Sequence, residues 1–304
     1  MTLLLNIFVN NILPVFIVVG VGALLSVTLR PDVKSLTRIT FYVLGPCLIF
    51  SGLTRTPLTG DEVQQIALFA LLVQLSITAL AWLIVTLLRW ESARKRALLL
   101  SVLVVNAGNF GLSVVLFAFG PDAQARAMVY FVATAVLGNI LGTIIAAGGS
   151  SWRQTLTNVA RVPMVYATIA ALIVNGLDQL QVPDLLMRPI NLLGSAAVPA
   201  MLLILGMQLA RSVGAMRANV GAIGLATAMR LIVAPLIGVL VAQIMQLQGV
   251  TRQVCLLQSG MPAGVTGTIL ALEYDLAPEI VTSTVFFSTL CSALSLSVVI
   301  SLIR

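Results

Sequence analysis

The chain has 304 residues, of which 59% are hydrophobic and 9% are charged, and its mean hydropathy is +1.08. A soluble domain has about 25% charged residues, so this composition excludes a soluble globular protein and indicates an all-α membrane protein. The net charge of +7 does not call for a nucleic-acid partner, because the basic residues follow the predicted membrane segments.

Ten apolar stretches are long enough for membrane helices, which need about 20 residues to cross the hydrocarbon. They cover residues 7–29, 35–53, 63–88, 97–119, 125–147, 163–180, 189–210, 220–245, 254–272 and 279–303. The first stretch lacks the basic leader of a cleaved signal peptide, and we interpret it as the first membrane helix. The short connections leave no room for a separate soluble domain.

Matching residues recur in the two halves of the chain. Three pairs share one offset of 153 positions, namely Pro46 with Pro199, Gly111 with Gly264, and Asp122 with Asp275. We interpret this offset as the duplication of a five-helix unit. Since five is odd, the second copy enters from the other face, which predicts an inverted repeat. The expected division is a first repeat over 1–150, a cytoplasmic linker over 151–161 and a second repeat over 162–304.

Lys and Arg are distributed unevenly between the two sides of these segments. The connections after helices one, three, five and seven hold eleven of them, whereas the opposite side holds five. The positive-inside rule therefore predicts that these four connections are cytoplasmic and that both termini are extracytoplasmic.

The fourth and ninth segments are interrupted by small and polar residues, over 106–113 and 259–267. Interrupted helices at corresponding places of two repeats are typical of transporter binding sites, because free backbone groups survive in a membrane only against protein or a polar cavity. The predicted substrate-binding residues are Asn106, Asn109, Gly111, Ser113, Gln258, Ser259, Pro262, Gly264 and Thr266.

The chemistry of these breaks suits an anion. Asn106 and Asn109 offer neutral amide donors for a carboxylate, although their glycine neighbours also fit simple tight packing. Half-helices that resume after Pro262 and after Gly111 would point positive dipole ends and free N–H groups inward. A plain proline kink is the alternative for Pro262, and kinks are the expected role of Pro46 and Pro199.

Charged residues within the membrane limit the coupling mechanism. None of the ten Asp and Glu residues lies in the middle of a segment, so coupling through an intramembrane carboxylate has no support, while sodium held by carbonyls or neutral side chains stays open. The sequence has no histidine and no metal-ligand spacing among its three cysteines, so no metal or cofactor is expected. For Arg230, inside the eighth segment, one interpretation is attraction of an anionic substrate, and the other is snorkelling or binding of helix C-terminal carbonyls in the interior.

The ninth segment, from Gln258 to Gly267 and on through Leu-Glu-Tyr-Asp at 272–275, resembles the auxin efflux carrier family, whose members include plant PIN-FORMED proteins and bacterial malonate or malate permeases. Asn106 and Gly111 are in register with the first crossover of that family, whereas Ser113 stands where proline is usual. Pro46 and the Ala-Val-Pro sequence at 197–199 resemble its second and seventh helices.

This resemblance implies two inverted repeats in which helices four and nine unwind and cross at the membrane centre, as in bile-acid transporters. It implies an elevator with a scaffold of helices 1, 2, 6 and 7, which often forms a homodimer, and a transport domain of helices 3–5 and 8–10. It also implies that Asn106 contacts a substrate carboxylate, with the backbone near Pro262 and Gly264 completing the site. The long central loop of the plant members is absent, which indicates a bacterial inner-membrane protein.

The expected function is therefore secondary transport of a small organic anion, with the lipid bilayer and the substrate as partners. An anion channel is the nearest alternative. A membrane sensor or an intramembrane enzyme is disfavoured, because histidine and central carboxylates are missing.

Overall fold

The structure is a computed structural model that describes residues 2–56, 58–148, 157, 162–177, 182–212 and 219–303. In these residues the regular structure is helical, apart from an isolated antiparallel bridge between Val105 and Ala263. The predicted linker over 151–161 lies outside the described residues except for Thr157.

The helices follow the ten predicted segments, and irregular stretches divide the fourth and the ninth into halves a and b. They are α1 (Leu4–Thr28), α2 (Val33–Arg55), α3 (Gly60–Leu87), α4a (Ser92–Leu103), α4b (Ala107–Phe119), α5 (Pro121–Ala147), α6 (Pro163–Gly176), α7 (Asp184–Ser212), α8 (Val220–Ile244), α9a (Gly249–Ser259), α9b (Val265–Glu273) and α10 (Pro278–Ile303).

Helix lengths confirm that the protein is an all-α membrane protein. Seven of the described helices, α1, α2, α3, α5, α7, α8 and α10, are long and apolar enough to span a bilayer. The halves are shorter: α4a has 12 residues and α9a has 11. At about 1.5 Å per residue, neither half reaches across about 30 Å of hydrocarbon. Neither half is therefore long enough to be a membrane span by itself.

Several prolines lie directly after a wide π-helical stretch. The pairs are Phe8–Ile12 with Pro14, Thr40–Leu44 with Pro46, and Met229–Val233 with Pro235. Proline has no N–H and clashes with the carbonyl four residues earlier, and a π turn changes that local spacing. Pro199 lies inside the helix Asp184–Ser212. The two prolines predicted to kink their helices thus differ in their surroundings: Pro46 follows a π-helical stretch, whereas Pro199 lies inside an α-helix.

The helices pack most extensively within two groups. In the first group, α7 packs along α1 and α2, and α6 packs along α2. The α1–α7 contact has no room for side chains, because a Cβ at Gly206 would collide with the backbone oxygen of Val19 and a Cβ at Gly22 with that of Leu203. Such close backbone approach is typical of small-residue helix contacts in membranes.

The second group consists of α3, α4, α5, α8, α9 and α10. At one end of it, Arg126 of α5 forms an ion pair with Glu62 of α3 at 2.7 Å and donates to the hydroxyl of Thr251 on α9a at 3.2 Å. These contacts join the first turns of three helices. The cavity described below lies between the two groups.

Candidate functional site

The breaks in the fourth and ninth segments lie against each other. The N–H of Asn106 donates to the carbonyl of Pro262 at 2.8 Å, and the N–H of Gly264 donates to the carbonyl of Val104 at 2.7 Å. The two bonds flank the bridge between Val105 and Ala263. Each break therefore satisfies backbone groups of the other, which removes part of the cost of unwinding two helices inside a membrane.

Glycine at position 264 lets the two backbones approach closely. A Cβ added to Gly264 would lie 3.0 Å from the oxygen of Val105 and 3.1 Å from a methyl carbon of Val104. An alanine would therefore fit only if its neighbours moved by a few tenths of an ångström.

The oxygen and the nitrogen of the Asn106 side-chain amide have different surroundings. Its Oδ1 accepts the N–H of Phe110 at 3.3 Å, so the side chain caps α4b. This bond fixes the orientation of the amide, because only an oxygen can accept that N–H. The Nδ2 group has no hydrogen-bond partner among the residues that the structure describes, although Asn106 is only 5% exposed. A buried amide donor without a partner is unfavourable, so it is available for a ligand.

The fourth segment resumes with a π-helical turn that the sequence does not predict. This turn spans Ala107–Gly111, and the N–H of Gly111 bonds to the carbonyl of Asn106 at 3.0 Å. The α-helix follows at Leu112, directly after Gly111, as the sequence predicts. The physical reason is the Asn106 cap, which starts the helix directly at the break.

Gly111 is also a packing residue inside α4b. A Cβ there would collide with the carboxamide oxygen of Gln258. Gln258 is fully buried and donates through Nε2 to the carbonyl of Ala107 at 3.3 Å. The two residues thus pack α9a against the start of α4b.

A cavity of about 330 Å³ lies beside the crossing. One wall comes from α2, α6 and α7, and the other from α4, α5 and α9. Four of the predicted substrate-binding residues line it, namely Asn106, Asn109, Gly264 and Thr266. The other five lie at or next to the crossing but are not among its lining residues, namely Gly111, Ser113, Gln258, Ser259 and Pro262.

The first turns of both second half-helices face this cavity. Gly108 and Asn109 of α4b and Val265 and Thr266 of α9b line it. First-turn N–H groups have no partners within their own helix and carry the positive end of the helix dipole. Together with the free Nδ2 of Asn106, they make the inner end of the cavity suitable for an anion.

The described lining contains no acidic residue, and its charged side chain is Arg38 of α2. The sequence reasoning counted this arginine only as a loop cation. It also missed the polar lining residues Thr37, Thr40, Thr134, Asn139 and Gln208. Asn139 could have been found, since a polar side chain in the middle of the apolar fifth segment is a functional pointer.

Arg230 occupies a different position and is not a lining residue of the cavity. It is fully buried, and its guanidinium donates to the carbonyl of Met261 at 2.9 and 3.3 Å, of Ser259 at 3.2 Å and of Val102 at 3.3 Å. These are the carbonyls at the ends of α9a and α4a. These contacts agree with the interpretation that Arg230 binds helix C-terminal carbonyls.

Gln74 of α3 completes this second set of contacts. It is fully buried and donates through Nε2 to the carbonyls of Val102 and Leu103, while its Oε1 accepts from Arg230 at 3.5 Å. The two kinds of helix end thus have different neighbours at the crossing. The positive ends of α4b and α9b face the cavity, and the negative ends of α4a and α9a face the buried Arg230. A glutamine within an apolar run was the signal that the sequence reasoning overlooked.

Broken helices whose interruptions lie against each other beside a cavity are typical of membrane transporters. The sequence matches the family model described as membrane transport protein over residues 7–147 and 150–300. The chain therefore belongs to this auxin efflux carrier-like family, which confirms the resemblance noted from the sequence.

Similar curated proteins agree with this assignment. An uncharacterized transporter of Methanothermobacter thermautotrophicus is 26% identical over 294 residues, covering 94% of this chain and 95% of that protein. The uncharacterized transporter MJ1031 of Methanocaldococcus jannaschii is 26% identical, with 93% and 94% coverage. Auxin efflux carrier component 1 of Arabidopsis thaliana is 24% identical over 142 residues, which are 46% of this chain and 22% of that protein.

Proposed function

We propose that this protein is a secondary transporter that carries a small organic anion, such as a carboxylate, across the membrane. The observation that carries the proposal is the free Nδ2 amide of Asn106, buried at the crossing and facing a cavity whose described lining has no acidic residue. Neutral donors and positive helix ends bind a carboxylate without the cost of burying a cation beside it.

The proposed architecture is ten membrane helices in two inverted repeats, 1–150 and 162–304, joined by the cytoplasmic linker 151–161. The first group of helices would serve as the scaffold and the second as the moving transport domain of an elevator. Two observations support this division: the cavity lies between the groups, and both half-helix pairs belong to the second group. A rigid second group would carry the whole crossing with it.

The proposed orientation puts the cavity mouth on the cytoplasmic side of a bacterial inner membrane and both termini outside. The excess of Lys and Arg on that side supports it. Near the start of α4a, the guanidinium of Arg94 lies 3.7 Å from the ring centre of Trp90, which fits a position of this end of the helix at a membrane surface. Basic and aromatic side chains of this kind anchor helices at the membrane surface.

We further propose that transport needs no cofactor and that the scaffold helices form a homodimer. Within the part of the chain that the structure describes, no group of three His, Cys, Asp or Glu side chains could hold a metal ion.

Coupling to sodium or protons gains no support from a carboxylate at the crossing, so the membrane potential acting on the anion is the simplest driving force.

Uptake of radiolabelled mono- and dicarboxylates into proteoliposomes tests the proposal, with sodium, proton and voltage gradients imposed in turn. Two variants of Asn106 separate binding from capping. Asn106→Asp keeps an oxygen for the N–H of Phe110 but removes the amide donors, whereas Asn106→Ala removes both. We expect a rise in KM of tenfold or more for both variants, since a hydrogen bond to a charged group contributes about 1.5–3 kcal/mol.

The control is Asn10→Ala, which removes an exposed amide that bonds only to the carbonyl of Asn6 in its own helix. It should leave KM unchanged. Unaltered binding and flux in both Asn106 variants would refute the assigned site. Flux that does not saturate, or single-channel currents, would instead identify an anion channel.

A further inference from the structure

The cavity has two polar ends with different surroundings. At the inner end lies Asn106, which is 5% exposed. At the outer end lies Arg38, which is exposed and belongs to the second turn of α2. The lining also includes the apolar side chains of Phe41, Phe131 and Met201. A ligand in this space meets neutral donors at the crossing and a cation at the mouth.

Arg38 is available for a ligand. Its side chain makes no ion pair or hydrogen bond with any described residue. Its neighbour Lys34 lies one turn earlier in the same helix but is not a lining residue of the cavity. The sequence would treat both as equivalent loop cations, whereas the structure gives only Arg38 a place in the cavity wall.

The two ends also belong to different groups of helices. Arg38 lies on α2 of the first group, and Asn106 starts α4b of the second group. Any movement of one group against the other changes the distance between the arginine and the crossing. A contact with Arg38 is therefore specific to the conformation seen here, whereas contacts with Asn106 travel with the crossing.

We propose that Arg38 binds an anionic group of the substrate only while the cavity is open at this face, so that the carrier has a higher affinity for its anion at this face than at the opposite one. This inference rests on the proposed function and adds a sidedness to it. Arg38 is then a specificity-determining residue that favours anions over neutral molecules of the same shape, since guanidinium pairs with carboxylates in a directed, two-pronged geometry.

The experiment measures KM separately at the two faces, in right-side-out and inside-out membrane vesicles that contain the full-length protein. The probe is the radiolabelled carboxylate that the wild-type protein transports. Arg38→Gln should raise KM at the cavity face about fivefold to tenfold, as expected for loss of a partly exposed charged hydrogen bond. KM at the opposite face should change less than twofold. Arg38→Lys, which keeps the charge but not the fork, should lie between wild type and Arg38→Gln.

Lys34→Gln is the matched control, because it removes the same charge from the same end of the same helix. It should shift KM less than twofold at either face. In addition, a passive carrier has the same Vmax/KM in both directions of transport. If Arg38→Gln raises KM at one face only, the ratio of the Vmax values for the two directions must therefore change as well. Thermal unfolding midpoints are measured for all three variants, and we expect them to match that of the wild-type protein.

An equal change of KM at both faces, no change at all, or the same shift in Lys34→Gln as in Arg38→Gln would overturn the inference while leaving the proposed function intact. The absence of saturable uptake of any tested carboxylate by the wild-type protein would refute the proposed function, and this inference with it.

Discussion

Replacement of Arg230 by an apolar side chain separates the two roles that a buried arginine can have here. In Arg230→Met, the carbonyls of Ser259 and Met261 lose the guanidinium, while Val102 keeps a bond from Gln74. Two buried carbonyls without a donor cost about 2–6 kcal/mol. Removing the guanidinium also removes its desolvation cost, which is several kcal/mol in such sites.

We therefore expect a net loss of about 2 kcal/mol for Arg230→Met, near the low end of that range. For a chain of 304 residues, such a loss corresponds to a fall of about 3 °C in the thermal unfolding midpoint. The midpoint of Arg230→Lys should fall by less, since lysine keeps the charge although it has fewer hydrogen-bond donors. The assay is thermal unfolding in detergent, combined with KM and Vmax for anion uptake into proteoliposomes.

The kinetic result discriminates between the two interpretations. Because Arg230 is not a lining residue of the cavity, Arg230→Met should lower Vmax and leave KM within twofold of wild type. A rise in KM of more than tenfold with an unchanged midpoint would show that the arginine attracts the substrate, which would refute the reasoning. The control is Arg252→Met on α9a, a half-buried position remote from both broken ends, and it should change neither quantity.

Two further predictions concern glycines at close contacts. Gly111→Ala should lower flux and stability, because its Cβ would meet the buried carboxamide of Gln258; the double variant Gly111→Ala, Gln258→Ala should recover part of the loss, measured by uptake and thermal midpoint. Gly206→Ala should lower the midpoint by about 2–5 °C through overpacking against the backbone of Val19, at about 1–3 kcal/mol, while KM stays unchanged because Gly206 contacts α1 and is not itself a lining residue of the cavity.

The position of the crossing could be predicted because its residues break local rules for membrane helices. Pro262 and the glycines around it cannot continue an unstrained helix in lipid, and Asn106 is costly there unless it has a partner or a ligand. Their matched spacing then indicates two related breaks. The sequence could not fix where each helix resumes, because the Asn106 cap depends on the local backbone of the break itself.

Other parts of the site depend on tertiary contacts between distant segments. Arg38 lies at a helix start, where composition predicts only a loop cation, and its place in the cavity wall follows from how α2 packs against α5. Gln74 and Arg230 are 156 positions apart, and no local pattern links them. The sequence left two roles open for Arg230, and only the contact with both broken helix ends distinguishes them.

The central claim is that the two broken helices meet at one crossing, and a disulfide between the paired residues tests it most directly. Val105 and Ala263 form an antiparallel pair without hydrogen bonds between them. The Cα atoms of such a pair lie about 4.5 Å apart, within the range of about 4.4–6.8 Å that a disulfide spans. The native cysteines Cys47, Cys255 and Cys291 would first be replaced by serine or alanine.

The measurement is mass spectrometry of peptides from membranes that carry Val105→Cys with Ala263→Cys after mild oxidation. Val105→Cys with Leu272→Cys, at the far end of α9b, is the control. We expect an intramolecular disulfide in the first pair and none in the control. Failure of the first pair to form a disulfide, with both thiols shown to be reactive after denaturation, would contradict the crossing on which the proposed site depends.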